Sequence, residues 1–194
     1  SRYRVEGVSK WAKEAVGYGF RSQCYPLPGL DIARSAMVVD VPEGDNSFKG
    51  DGLRFEAGVV NIARKPFQTM EAITGPVVNK VTMGDVLTEL GQNYSHGVSR
   101  AILHGTPYTK TFNGYNSDWP GWLPFGTMFG SSYTYREDYW DDVETETGYM
   151  ARTQAIIQNG TAKVDVVGLI DKEASFQLSS GNRFQKILDA GYSY

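Results

Sequence analysis

One cysteine and two histidines are all the thiol and imidazole chemistry in these 194 residues. A lone Cys24 excludes an internal disulfide and a cysteine-built zinc cage. It reads as a small buried hydrophobe rather than a nucleophile. His96 and His104 are too few for a histidine-rich metal centre. Positive charge is not in excess either: the formal net charge is −3 and the sequence pI about 5.4, which argues against a protein that tracks nucleic-acid phosphates. No apolar run approaches the ~20 residues that span a bilayer. No signal peptide opens the chain, where Ser1 leads directly into RYRVEGVSKWAKEA. Solenoid repeats and low-complexity tracts are missing as well.

What remains is the composition of a folded globular protein, 41% hydrophobic and 21% charged. It leans aromatic, at 13% with twelve Tyr and four Trp, a leaning that suits sugar recognition. Two N-glycosylation sequons, at Asn93 and Asn159, point toward a secreted or extracellular setting.

The patterning alternates helix and strand. GVSKWAKEAV (7–16) has an apolar face of Val8, Trp11, Ala12 and Ala15, and a short strand YGFRSQCY follows, ended by PLPG. LDIARSA reads as a helical turn or loop, and MVVDV as a buried strand. GDGLRFEAGVVNIARK (50–65) has helical period through Leu53, Ala57, Val60 and then Ala63 or Arg64, and PFQTMEAITG reads as the next strand. TMGDVLTELGQNYSHG is the clearest helix, with Thr82 as N-cap, Asp85 three residues on, and Gly91 as its end. VSRAILHG is the following strand. The expected strands are thus 19–24, 37–41, 66–71 and 99–104, about 30 residues apart, the spacing of parallel βα units with right-handed crossovers. Beyond His104 comes a long Gly-rich aromatic stretch, of a length that is usually functional. A helix over REDYWDDVETETGYMARTQAIIQNG, a strand AKVDVVGLID and a helix GNRFQKILDAGY complete the chain.

In a parallel (β/α) barrel, functional side chains gather at the C-terminal ends of the strands. On the expected boundaries Gln23 ends the first strand, Asp40 and Glu43 the second, Glu71 the third and His104 the fourth. A single acid after a strand is most often a helix cap or a solvated loop residue. Four consecutive strands that each deliver a polar group to one rim point instead to a shared site. Paired carboxyl groups there suit glycoside hydrolysis, in which one protonates the leaving oxygen and the other activates water or attacks carbon. Trp119, Trp122, Tyr108, Phe112 and Tyr115 could stack on sugar faces, or simply cover the mouth of a barrel. His104 reads as a substrate hydrogen-bonder, and Asp45 as a loop acid of little consequence.

The motifs VDVPEGD, QTMEAIT, GVSRAILHGTPY, WPGW and TQAIIQNGTAKVDVVGLID, in that order and spacing, resemble the α-L-rhamnosidases of glycoside hydrolase family 106 from about Val5 to Tyr194. The resemblance implies the second half of a catalytic (β/α) barrel over 1–160, followed over 161–194 by the first strand and helix of a flavodoxin-like domain. It implies an inverting reaction on terminal α-L-rhamnose, with Glu43 and Glu71 as general acid and base in an order left open. It further implies that His104 and Tyr108 contact the sugar, that Trp119 borders the pocket, and that a calcium ion sits in the site with ligands outside this chain. A whole barrel takes about 200–250 residues by itself, so the chain reads as a fragment whose edges would pair with the rest of the barrel or with a second copy. Two other readings stand beside it. One is a sugar-binding or scaffold module that has lost turnover. The other is a β-galactosidase-like barrel hydrolase, whose retaining chemistry needs its carboxyl groups closer together.

Overall fold

The computed structural model describes residues 2–23, 31–45, 51–73, 82–104, 138–169 and 184–194. Its centre is a four-stranded sheet, β1 (Arg21–Gln23), β2 (Val41–Asp45), β3 (Thr69–Ala72) and β4 (Arg100–Leu103), in the order β1-β2-β3-β4 with every pairing parallel. The helices are α1 (Arg2–Trp11), α2 (Ile32–Val38), α3 (Asp51–Ile62), α4 (Met83–Ser95), α5 (Val143–Asn159) and a short α6 (Gln185–Asp189). The class is α/β, and the expected order of adjacent parallel strands is what the chain forms.

Side-chain alternation divides the sheet into two chemically different faces. Gly44, Met70 and Ala72 look toward the helices. Met70 packs with Leu53 of α3 and with Val98, and Ala72 packs with Val86, Leu90 and Tyr94 of α4 and Met150 of α5. The opposite face receives Arg21, Gln23, Glu43, Asp45, Thr69 and Glu71. The apolar stripes that build the first face are regular: Leu53, Ala57 and Val60 on α3, and Val86, Leu90, Asn93 and Tyr94 on α4, are all buried. The α4 cap is reciprocal, since Thr82 Oγ1 accepts from the Asp85 N–H at 3.2 Å and Asp85 Oδ2 accepts from the Thr82 N–H at 2.9 Å.

Three expectations are corrected. The apolar run Met37-Val38-Val39 is not a strand but the end of α2 and a bend, and β2 begins only at Val41. The overlooked signal is Asp31, which caps α2 by accepting from the Arg34 N–H at 3.1 Å. Gly91 does not end α4, which continues a full turn to Ser95 because Asn93 and Tyr94 extend its buried stripe. The described part of AKVDVVGLID forms no strand: 161–169 runs without regular structure, with Val167 and Leu169 exposed, and is tied to Ser193 by Asp165.

The true stop of α4 is Gly97, whose φ of +101° is open to glycine and strained for other residues. A Cβ there would stand 2.6 Å from Ala57 Cβ of α3. Gly97→Ala is therefore expected to destabilise the fold by roughly 2–4 kcal/mol, backbone strain and overpacking together. Urea unfolding would read this as a lower midpoint. Adding Ala57→Gly should restore only the packing part, and full recovery would show that the φ of Gly97 is immaterial.

Candidate functional site

Glu71 is the hub of the polar face. Its Oε2 accepts from Gln23 Nε2, and its Oε1 lies 3.6 Å from His104 Nε2. These groups come from the C-terminal ends of three strands. Gln23 is the last residue of β1, Glu71 the third of β3, and His104 directly follows β4, held there by its own N–H to Ala72 O at 2.9 Å. The Glu71 side chain keeps 22% of its surface exposed and that of His104 30%, so both are reachable from outside while fixed by neighbours.

Glu43 points to the same face one row deeper. The ladder sets Gln23, Glu43 and Thr69 side by side. Glu43 Oε2 accepts from Thr69 Oγ1 at 2.8 Å and lies 3.1 Å from Arg21 Nη1. The residue is only 7% exposed, and a polar group that deep needs such partners in place of water. Asp45, at the end of β2 and 4% exposed, is the in-register neighbour of Glu71. It is thus a rim residue and not a loop acid.

Asp40 does not belong to this rim. With β2 starting at Val41, it lies at the opposite, N-terminal end of the sheet. There its Oδ2 accepts from the Phe20 N–H at 2.7 Å and its Oδ1 lies 2.6 Å from Lys13 Nζ. Burial opposes its ionisation, but the Lys13 ammonium and the Phe20 N–H outweigh that and hold its carboxyl below the ordinary range. The residue ties Lys13, in the turn that follows α1, to the start of β2. Tyr108, Trp119 and Trp122, with Phe112 and Tyr115, lie outside the described residues.

Thr69 and Glu56 were not singled out by sequence reasoning. Thr69 shows no signal beyond its even spacing from Glu71. Glu56 does show one, because it falls three residues after Leu53 on the apolar stripe of α3. It is 4% exposed beneath β2, on the helix side, where its Oε2 would be 2.8 Å from a Cβ on Gly44 and is 3.4 Å from Gln68 Nε2. Burial pushes its carboxyl up to about 8 against a weaker Gln68 hydrogen bond, and the charge of Glu43 adds to the rise.

Among the described residues no group of three or more His, Cys, Asp or Glu side chains is arranged to hold a metal ion. Calcium takes six to eight oxygens, so Asp45 and Glu71 alone do not make such a site. A cleft of about 460 Å³, lined by Met83, Leu87, Asp142, Thr145, Glu146 and Tyr149, lies between α4 and α5 on the helix side, apart from the Glu71 cluster. The end of the sheet therefore offers a carboxyl hub, a second carboxyl beside it, an amide and an imidazole, groups that accept or donate hydrogen bonds. Set against protein-family models, characterised proteins and solved structures, the chain matches none.

Proposed function

We propose that this chain contributes a glycoside hydrolase site that removes terminal α-L-rhamnose, built on part of a (β/α) barrel. The observation that carries the reading is the convergence of Gln23, Glu71 and His104 from three strand ends on one carboxyl group. Parallel strands in sequential order, helices packed on the Met70 and Ala72 side, and charged and polar side chains on the other support the barrel. On this reading residues 1–160 belong to the barrel and 161–194 open a second domain.

Glycosidic cleavage needs one carboxyl group to protonate the departing oxygen and one to activate water. Glu71 fills one of these roles, and Glu43 is the other candidate. The two stand diagonally on adjacent strands, Glu43 one row deeper, since Thr69 is the in-register partner of Glu43. Strand spacing and rise place their diagonal Cα atoms about 8 Å apart, and inversion requires their carboxyl groups to stand roughly 6.5–9.5 Å apart to admit a water. Gln23 and His104 hold the Glu71 carboxyl in one orientation. Tyr108, Trp119 and Trp122, outside the described residues, are the sequence's candidates for stacking on a sugar.

The test is hydrolysis of an aryl α-L-rhamnoside by the purified chain, with the first-formed sugar followed by proton NMR. The expected outcome is release of the aryl group, slow for a chain that carries only part of a barrel, with the β anomer of L-rhamnose appearing first. Aryl release with the α anomer first would replace inversion by a retaining, two-step reaction. A folded protein that neither cleaves the substrate nor binds L-rhamnose would end the reading.

A further inference from the structure

β3 ends in a backbone conformation that its next residue resists. Ile73, directly after the strand, has a φ of +64°. A β-branched residue enters that region only where its surroundings hold it there. Packing and a hydrogen bond do so. The Ile73 side chain is 5% exposed and sits with Ala72, Val86, Leu90, Tyr94 and Met150, and its N–H donates to Glu89 Oε1 of α4. Side chains alternate along a strand, so a continued β3 would put Ile73 on the polar face with Glu71, two residues before it. The left-handed φ instead delivers it to the helix side, beside Ala72. The peptide unit between Ala72 and Ile73 is therefore fixed at both polar atoms. Glu89 takes its N–H, and its C=O accepts from the His104 N–H at 2.9 Å. Glu71 stands one residue before that unit, and His104 Nε2 lies 3.6 Å from Glu71 Oε1.

We infer that Glu89 is a positioning residue for the Glu71 carboxyl group, acting from the helix layer through the clamped Ala72–Ile73 peptide. Its bond to the Ile73 N–H keeps β3 ending in the left-handed turn, with the Ile73 side chain off the polar face and His104 within reach of Glu71. The inference rests on the glycosidase reading and adds to it a residue outside the polar cluster on which the shape of that cluster depends. Without the bond, only the packing of Ile73 opposes the strain of its φ. An extended Ile73 would bring an apolar side chain beside Glu71 and shift the carbonyl that holds His104. The role needs an oxygen acceptor at this reach, and an amide oxygen supplies one as well as a carboxyl oxygen does.

The experiment compares the full chain with its Glu89→Ala and Glu89→Gln variants in steady-state kinetics on an aryl α-L-rhamnoside, at folded concentrations matched by circular dichroism. Glu89→Ala is expected to lower kcat about 10- to 100-fold, the scale set by a small misplacement of a reacting group, with KM within about threefold. Glu89→Gln should keep kcat within about threefold of wild type. A purely structural role would change the fraction folded and leave the kcat of the folded protein as it was. Glu89→Ala with kcat within threefold of wild type, or Glu89→Gln as slow as Glu89→Ala, would overturn the assignment. A second measurement covers failure of Glu89→Ala to fold. The Ile73 amide lies past Ala72, the last β3 residue paired with β4, yet in the wild-type protein it should be protected from hydrogen exchange by Glu89, and exchange at the rate of an open chain also overturns the role. Wild-type protein that neither binds L-rhamnose nor cleaves its glycosides removes the glycosidase reading and this role together, whereas cleavage with an indifferent Glu89→Ala removes this role alone.

Discussion

Glu71→Gln is expected to lower kcat on an aryl α-L-rhamnoside by about a thousandfold, within the range that general acid or base catalysis supplies. The amide has the shape of the carboxyl group, so Gln23 and His104 can still hold it, and L-rhamnose affinity should change by less than about fivefold. What disappears is the ability to give or take a proton. The leaving group then identifies the lost role. If Glu71 is the acid, a substrate whose aryl group departs without protonation should regain most of the rate. If it is the base, the same substrate should stay slow, and added azide, which needs no deprotonation, should restore turnover. Glu43→Gln should give the complementary pattern and also disturb the Arg21 and Thr69 contacts. Glu71→Gln with activity within tenfold of wild type would refute the placement of catalysis on this cluster.

The second large effect is on stability. Urea unfolding of the wild type is expected to show a free energy that falls as pH rises from about 4.5 to about 8, and Glu56→Gln should flatten that fall. In the unfolded chain the Glu56 carboxyl titrates near 4.5, whereas burial raises it to about 8 in the folded protein. Between those values the folded state binds a proton that the unfolded state has released. Its stabilising contribution is therefore complete below the unfolded value and lost as pH rises through the folded one, a loss of about 5 kcal/mol. Its Oε1 finds no hydrogen-bond partner among the described residues, and a Cβ on residue 44 would press on its Oε2 at 2.8 Å. The neutral amide keeps that packing without the charge, so above pH 8 Glu56→Gln should be the more stable protein. Groups with lowered values act in a separate window. Asp40, held down by Lys13 and Phe20 against the opposing cost of burial, contributes stability that is lost only as pH falls below the ordinary carboxylate range. Parallel curves for wild type and Glu56→Gln across pH 4.5–8 would contradict this account.

These two predictions draw on different kinds of legibility. Spacing and type of residue alone determined that the chain alternates helices with parallel strands, because a crossover of about 30 residues leaves room for one helix and for little else. The Thr82–Asp85 cap of α4 was visible for the same local reason, since a cap is made by side chains three residues apart. Gln23, Glu71 and His104 could be named in advance as strand-end residues of neighbouring strands.

The Asp31 cap marks locally where α2 starts, but only the tertiary structure decided where α2 ends and hence the phase of β2. A run such as Met37-Val38-Val39 is equally apolar as a helix end or as a strand, and the choice depends on what covers it. Moving the strand start to Val41 carried Asp40 to the far end of the sheet and brought Asp45 to the rim beside Glu71. The same holds for Glu56, whose sequence neighbours show that it lies on an apolar stripe but not that Gly44 lies directly above it. Local spacing determines which elements form, because caps and stripes are short-range. Register and burial belong to pairs of segments far apart in the chain, so which acids meet, and which of them stays protonated, emerges only when those segments pack.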